Sequence, residues 1–497
     1  MAIKRYTAIA DNTITNQYSE GLSTRTTSAN TGLADSLEIF KIYGQVTATT
    51  VEQSRILIKF PVNETDLPSS IKTIKQDRDT GILPASGSVK FIMKLGDVVH
   101  ADTVPNNFKI VAHPLTKVWQ EGLGIDLDEY SDIGHSNWLS ASSTTAWSTA
   151  GGDFNNTAPY LFEQEFTTGF ENIEVDISKY VEDVLDSSLN SGVNYGLILL
   201  LSSSYLADSN SYYTKKFSAR SSEYFFNRPV IEARWDSSIK DDRSNFYYSS
   251  SLAQAADNLN TLYLYNNIGG RLQNIPGDPS NVYVQLYLSS GSATSGSALT
   301  LVTAGGVAGA APTIITGSKV STGIYNASVA MTGTADTLHD VWYNGSSTQY
   351  HTGTIYPEQR TLEGTTRTND YYVSITNLKQ KYNIEETARF RVYTRLKGWS
   401  PTIYTRAVSE PQLYIPTSGS YEIFRIIDNY DVIKHATGSI NYTELSFDGS
   451  GSYFDFDMSI LEPGYSYGIK LAFYDDFISD YKPVNKVFKF RVEKHET

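Results

Sequence analysis

The sequence predicts an all-β protein: an N-terminal jelly-roll sandwich followed by two immunoglobulin-like β-sandwiches. Three observations predict it. The 35 Tyr, 21 Phe and 6 Trp sit mostly in short alternating runs, such as residues 283–288 and 390–395. A period of two puts one set of side chains on one face of a strand, where aromatic and β-branched groups pack well. Gly, Ser, Thr, Asn and Asp separate the runs, as turns require. Finally, 497 residues exceed what one core serves, and the composition shifts divide them into blocks 1–238, 239–357 and 358–497.

In the first block, strands are predicted over 36–43, 54–60, 88–95, 108–114, 172–176, 195–201 and 229–234. One helix interrupts them over 176–185, where Ile177, Tyr180, Val181, Val184 and Leu185 follow helical spacing and Asp176 or Ser178 supplies a cap. Regularly spaced strands with a single short helix indicate a jelly roll. The second block opens at a charged break, Lys240-Asp-Asp-Arg243, then a helix-compatible stretch over 250–258 and a strand over 261–265. Ser289-Ser-Gly-Ser-Ala-Thr-Ser-Gly-Ser297 and the Gly/Ala-rich 305–311 are expected as a flexible surface loop. Runs 323–330 and 340–343 complete an immunoglobulin-like pattern. The last block carries strands over 370–376, 388–396, 420–427, 452–458 and 465–474. An end strand over 486–493 would turn Lys486, Lys489, Arg491 and Glu493 to water. No heptad run of useful length is present, so no coiled-coil shaft is encoded.

Composition narrows the function. Net charge is -14, from 40 basic and 54 acidic residues, which argues against a nucleic-acid partner, because phosphate binding needs clustered Lys and Arg. Zero Cys excludes disulfides, thiolate metal sites and a Cys nucleophile. The first eleven residues hold a basic pair but no apolar run of signal-peptide length. The longest apolar stretch, 195–201, is far short of the ~20 residues of a spanning helix. The expectation is assembly in a cytoplasm without membrane insertion.

Two constellations stand out as candidate sites. Asp126, Asp128 and Asp132 occupy positions one, three and seven of an acidic loop and offer hard oxygen ligands suited to Ca²⁺. The loop lacks the glycine and terminal Glu of a helix-loop-helix calcium site, which favours a solvated loop. Trp119, Trp138 and Trp147, with Tyr130, fall in one loop-rich stretch. Exposed, they would make a sugar-stacking platform; buried, they anchor a long loop, and the Gly, Ser and Asn content around them favours anchoring. The seven histidines show no metal-ligand spacing, and no Gly-x-Ser-x-Gly elbow, P-loop or dinucleotide fingerprint occurs. No cofactor and no catalytic residue is expected, and the chain reads as no enzyme.

Asp11-Asn-Thr-Ile-Thr15, Asn30-Thr-Gly32, Ser36-Leu-Glu-Ile-Phe40 and Ser54-Arg-Ile-Leu-Ile-Lys-Phe60 together resemble the opening of the DNRLRE-type jelly-roll domain. The resemblance continues through Val118-Trp-Gln-Glu-Gly122, Val175-Asp-Ile-Ser178, Asn194-Tyr-Gly196 and Arg228-Pro-Val-Ile-Glu-Ala-Arg234. Where that family has Phe-Asp, this chain has Phe60-Pro61, so no family ligand site is carried over. Longer phrases resemble uncharacterised virion structural proteins of marine tailed phages: Asp126-Leu-Asp-Glu-Tyr-Ser-Asp-Ile-Gly134, Ser136-Asn-Trp138, 226–235 and 256–265. This resemblance implies a non-enzymatic virion component of neck, tail, baseplate or fibre attachment. Its partners would be other virion proteins and copies of itself. The alternative is a glycan-binding adhesin or receptor-binding protein that uses the jelly roll as a carbohydrate-binding module for cell-surface glycan.

Overall fold

The alternating runs form strands, and the strands divide into two units. A computed structural model of the chain describes residues 2–127, 135–250, 253–254, 256–277, 279, 281–290, 293–301, 312–345, 348–359, 370–397, 399, 413–475 and 477–494. One unit is Ile3–Trp235 with Ser459–Glu462; the other is Asp236–Met458 with Met1–Ala2 and Pro463–Thr497. Both are built of largely antiparallel sheets, with one parallel pair at Lys381–Asn383, so the chain is all-β with a sandwich architecture.

The first unit contains β1 (Ile3–Thr7), β2 (Ala10–Thr15), β3 (Ser36–Tyr43), β4 (Val51–Lys59), β5 (Lys90–Leu95), β6 (Phe108–Pro114), β7 (Phe162–Phe166), β8 (Ile173–Asp176), β9 (Leu197–Leu201), β10 (Tyr212–Ser218) and β11 (Val230–Arg234). One sheet has the order β1-β11-β5-β8, the other β10-β3-β4-β9-β6-β7, with β2 added to β4. Ile3 pairs with Arg234, so the first and last strands close the unit on each other. Strand β9, Leu-Ile-Leu-Leu-Leu, is buried at every position. Ile198 and Leu200 join Leu57, Val111, Leu115 and Ile14 in one cluster, while Leu197, Leu199 and Leu201 point the other way by alternation. Burial on two faces is why this run is apolar throughout instead of alternating.

Two helices pack at the end of the four-stranded sheet. The first, α1 (Ile74–Asp79), was not expected; it starts with a capping box between Thr73 and Gln76. The expected helix begins at Ser178 and runs as α2 (Ser178–Leu185), and its N-cap position falls to Ile177, in place of Asp176 or Ser178. Both polar side chains serve the junction all the same. Asp176 Oδ1 accepts the Ser178 N–H at 2.9 Å, and Ser178 Oγ accepts the Phe91 N–H at 2.8 Å, which ties the helix start to β5. Arg78 and Glu182 join the two helices at 2.6 and 2.8 Å.

In the second unit, β12 (Asn260–Tyr265), β13 (Asn267–Ile268), β14 (Arg271–Leu272), β15 (Asn281–Ser290), β16 (Ala293–Ser295), β17 (Ile315–Ser321), β18 (Ile324–Val329), β19 (Leu338–Tyr343) and β20 (Gln349–Ile355) come first. They form one continuous sheet, β12-β18-β17-β15-β19-β20 with β16 on β15, beside the small β13-β14 ribbon. Its core holds Trp342, Tyr325, Leu262, Val284 and Leu286. The Ser-rich run expected as a loop is partly strand: Leu288, Ser289 and Ser290 pair with Ser295, Thr294 and Ala293. Backbone pairing needs no apolar side chain, so composition alone missed it. Residues 302–311 lie outside the described residues. The helix-compatible stretch 250–258 yields a 3-10 turn at Ala256–Asn258; residues 251, 252 and 255 lie outside the described residues.

The charged break at 240–243 proves to be woven into this unit. The Phe447 N–H donates to Ile239 O and the Asp241 N–H to Phe447 O, at 2.8 and 3.1 Å, while Lys240 pairs with Glu444 at 2.7 Å. Arg243 reaches Asp340 at 2.5 Å and the Tyr263 carbonyl at 3.2 Å. Gly353 makes the room, because a Cβ there would lie 2.2 Å from the guanidinium. Asp340 is wholly buried, and although burial pushes its carboxyl up, the Arg243 hydrogen bond and charge hold it below the ordinary value.

The remaining strands are β21 (Tyr371–Ile375), β22 (Lys381–Asn383), β23 (Thr387–Leu396), β24 (Gly419–Arg425), β25 (Tyr430–Ile433), β26 (Ser446–Asp448), β27 (Gly451–Asp457), β28 (Ser466–Asp475), β29 (Asp480–Pro483) and β30 (Phe488–Glu493). They make two sheets, β21-β23-β27-β26 and β22-β30-β28-β24-β25 with β29 on β28. Aromatic rings fill the space between them. Phe390 stacks on Phe454 at 5.0 Å and Tyr421 on Phe454 at 4.1 Å, while Tyr382 meets Phe490 edge-on at 5.5 Å. On β30, Lys489 and Arg491 are exposed while Phe488, Phe490 and Val492 are buried, as the alternation requires.

Glu232, on β11, is 2 % exposed and is held by Arg5 at 2.8 Å, Arg234 at 2.6 Å and Lys94 at 3.8 Å. Burial pushes this carboxyl up, but the three cations overcome it and hold it at about 2. A depressed folded value stabilises the fold above the unfolded value near 4.5, and that contribution is lost as pH falls towards 2. Glu232→Gln should lower stability by about 3–5 kcal/mol at pH 7, since it takes the shared carboxylate from the half-buried cations Arg5, Lys94 and Arg234. The difference from the parent chain should shrink between pH 4.5 and 2. Urea unfolding of the full chain, followed by tryptophan fluorescence at each pH, checks both.

Candidate functional site

Three of the residues singled out by the sequence, the tryptophans, converge in the first unit on one face of its larger sheet. Trp119, Trp138 and Trp147 are 9 %, 6 % and 6 % exposed. Their rings join Leu57, Val111, Ile198 and Leu200 in one apolar cluster, so the loop that carries them folds over the sheet. Each indole that would otherwise lose a hydrogen bond finds a carbonyl: Trp119 Nε1 donates to Tyr195 O and Trp147 Nε1 to Asn137 O, both at 2.8 Å. Trp138 lies 4.9 Å from the Arg55 guanidinium, which also donates to Gly151 O at 2.8 Å. Burial brings the Arg55 value down to about 10. These three rings anchor the loop and make no exposed stacking platform; Tyr130 lies outside the described residues.

Of the acidic set, Asp126 is exposed, and Asp128 and Asp132 lie outside the described residues. Among the described residues no group of three His, Asp or Glu side chains converges in metal-binding geometry.

A polar cluster that local spacing did not reveal lies alongside. The Asp11 N–H donates to Glu121 at 2.8 Å, Asp11 Oδ2 accepts the Arg220 N–H at 2.6 Å, and Arg220 forks onto Glu121 at 2.7 and 2.6 Å. Asn12 donates to Ser136 Oγ at 2.8 Å and accepts the Thr31 N–H at 3.0 Å. Asn30 Oδ1 accepts the N–H groups of Gly32 and Gly124, at 3.3 and 3.0 Å. A Cβ at Gly122 would lie 1.8 Å from Asn30 Oδ1, so only glycine fits there. The cluster thus gathers Asp11–Thr15, Asn30–Gly32, Glu121–Gly124 and Ser136. Asp11–Thr15, Asn30–Gly32 and Glu121–Gly122 belong to the phrases quoted for the jelly-roll resemblance and Ser136 to those quoted for the phage resemblance, brought together from positions about a hundred residues apart. Their work is mutual: each polar group fixes a neighbouring segment, and Asp11 is 1 % exposed.

Burial raises the Asp11 carboxyl to about 7, aided by the Glu121 charge and opposed by the Arg220 N–H and charge. A raised folded value contributes stability that is fully present below the unfolded value near 3.8 and lost as pH rises to about 7. Asp11→Asn should therefore remove a decline of up to about 4 kcal/mol between pH 4 and 7, and the variant should gain on the parent chain as pH rises. Denaturant midpoints across that range measure it. Trp119→Ala should destabilise the first unit by about 3–5 kcal/mol, as loss of a buried aromatic does; urea titration with unchanged binding to a glycan array is the expected outcome. Chelation by EDTA should leave the thermal midpoint unmoved, because the acidic loop lacks a complete ligand set; a drop of several degrees would establish a metal there.

No family model and no curated protein matches the sequence. Among solved structures, the chain is similar to the adhesin InvE of Yersinia pseudotuberculosis at 13% identity and TM-score 0.15, over 47% of this chain and 54% of that one. It is also similar to trypsin-activated alpha-2-macroglobulin from Escherichia coli at 7% identity and TM-score 0.17, over 89% of this chain and 24% of that one. The BSP domain of a biofilm associated protein gives 8% identity and TM-score 0.15, over 95% and 69%. The chain thus spans about half the length of the first of these and a quarter of the second. At such TM-scores the similarities carry no argument about what this chain does.

Proposed function

We propose that the chain is a non-enzymatic structural component of a tailed-phage virion, assembled in the host cytoplasm and acting through contacts with other virion proteins and copies of itself. One observation carries the structural part of this reading. The ionisable groups with the strongest chemical character (Asp11, Glu121 and Arg220; Glu232 with its three cations; Arg243 and Asp340) are spent on joining segments of the fold. Buried ion clusters of this kind fix one arrangement of strands and loops more than they add net stability. A rigid β scaffold with an acidic surface suits repeated, specific contacts, and symmetric copies are the usual outcome for such assemblies. The virion part rests on the sequence phrases that resemble marine tailed-phage virion proteins. Burial of Trp119, Trp138 and Trp147 disfavours the alternative in which those rings bind glycan.

The test is the particle itself. Peptides of this chain should appear in density-purified virions of a phage that encodes it, at constant copy number relative to the major capsid protein. Gold-labelled antibody should mark one fixed position on the particle. Recovery of the chain only in the soluble fraction of the lysate would refute the proposal.

A further inference from the structure

Between β21 and the end of β29 with the segment that follows it lies a cleft of about 220 Å³. Asp370, Tyr372, Lys397, Lys482, Pro483 and Lys486 line it. Three ammonium groups against one carboxylate make it locally cationic in a chain whose net charge is -14. Lys482 pairs with Asp370 at 2.5 Å, and this hydrogen bond, with the Lys482 and Lys397 charges, keeps the Asp370 carboxyl below its ordinary value. Lys486 Nζ lies 5.8 Å from the Tyr372 ring centroid, with the Arg395 guanidinium at 5.0 Å from the same ring. Tyr372 is 52 % exposed.

Size and edge chemistry select the occupant. The volume falls below the roughly 300–1,000 Å³ of sites for drug-sized ligands, so a single small group fills it. Among the described residues, strand β21 pairs with β23 on one side only. An open edge ordinarily invites an added peptide strand. Here Lys486 Nζ donates to the Val373 carbonyl at 3.2 Å and occupies that edge, which disfavours strand addition at this point. What remains is a compact anion with a ring to lie beside tyrosine and proline and an acid to meet lysine. Ammonium groups act on such an acid as point charges with rotatable donors.

We propose that this cleft binds one unit of an acidic saccharide, with its carboxylate between Lys397, Lys482 and Lys486 and its ring against Tyr372 and Pro483. The site lies in the second unit, and the proposal holds wherever the chain is assembled.

The experiment titrates the full-length chain by calorimetry with trigalacturonate, its fully methyl-esterified neutral counterpart and inorganic phosphate, at low and at physiological salt. Trigalacturonate should bind saturably and weaken with salt, and the ester should bind at least about tenfold more weakly, one charge contact being worth a factor of that order. Lys397→Gln, an exposed substitution, should reduce affinity by a similar factor with an unchanged thermal midpoint, and Lys486→Gln should also reduce affinity. Absence of trigalacturonate binding, equal binding of the ester, or wild-type affinity in Lys397→Gln would overturn the proposal. Phosphate binding as tight as trigalacturonate would replace it with a simple anion site. Salt-sensitive self-association that Lys397→Gln abolishes, without saccharide binding, would replace it with capture of a carboxylate from a second copy.

Discussion

Strand β9 must be covered on both faces, and much of the first unit follows from that. Its five residues, Leu197–Leu201, are apolar and buried. One face is served by the sandwich interior. The other needs a cover, and no second sheet supplies it. The cover is the loop carrying Trp119, Trp138 and Trp147. Ordering a long Gly- and Ser-rich segment costs about 1–2 kcal/mol of backbone entropy per residue, which a polar loop without anchors does not offset. Three indoles each bring a large apolar area to the sheet, and two of them also satisfy backbone carbonyls. The same rings that looked like a binding platform are thus required inside. Arg55 accompanies them because its guanidinium is planar and weakly hydrated enough to lie by Trp138 while donating to Gly151.

Charge is treated the same way. Asp11, Glu121 and Arg220 come from three distant points in the chain, as do Arg5, Lys94, Glu232 and Arg234. Arg5 and Lys94 reach Glu232 only when β1, β11 and β5 are paired in register, because each sits on a different one of these strands. A misregistered sheet would bury a charge without its partner, which costs several kcal/mol. Antiparallel sheets with many Tyr- and Thr-rich strands are otherwise prone to slip, since alternate pairings bury similar areas. The buried ions therefore discriminate between registers more than they add to the depth of the native state.

This division explains which parts of the fold were legible in the sequence. Strands whose faces differ in polarity announced themselves: β3 and β6 fall on 36–43 and 108–114 as periodicity predicts. Strand β2, Asp-Asn-Thr-Ile-Thr at its core, has no hydrophobic alternation. Apart from Ile14 its buried side chains are polar, several matched by partners from distant segments, and a hydrophobic period cannot register them. Strand β10 was invisible for a related reason. Lys215 reads as a solvent-facing residue, yet its ammonium is buried near the Phe166 and Phe217 rings, at 5.5 and 4.9 Å from their centroids, and pairs with Asp97. The charged run 240–243 has the character of a break, because four successive polar residues usually lie in water. Asp340, Glu444 and the Tyr263 carbonyl, its structural partners, are distant in sequence. Local composition sees a residue's character but not what will neutralise it.

The candidate sites separate along the same line. Asp11, Asn12, Asn30 and Gly122 are constrained by contacts within the fold, and the Asn30–Gly122 approach leaves no space for a side chain, let alone a ligand. A likeness to other proteins that rests on such residues therefore speaks to how strands and loops are fastened, and any family could share it while binding different things. Residues that meet solutes are subject to the opposite constraint: they must keep some of their hydrogen-bonding or charge capacity for a partner outside the chain. Lys397 and Tyr372 are exposed at a concave seam, and positive charge gathered there departs from the acidic balance of the whole. The significance of surface groups of this ordinary kind appears only when the fold sets them side by side.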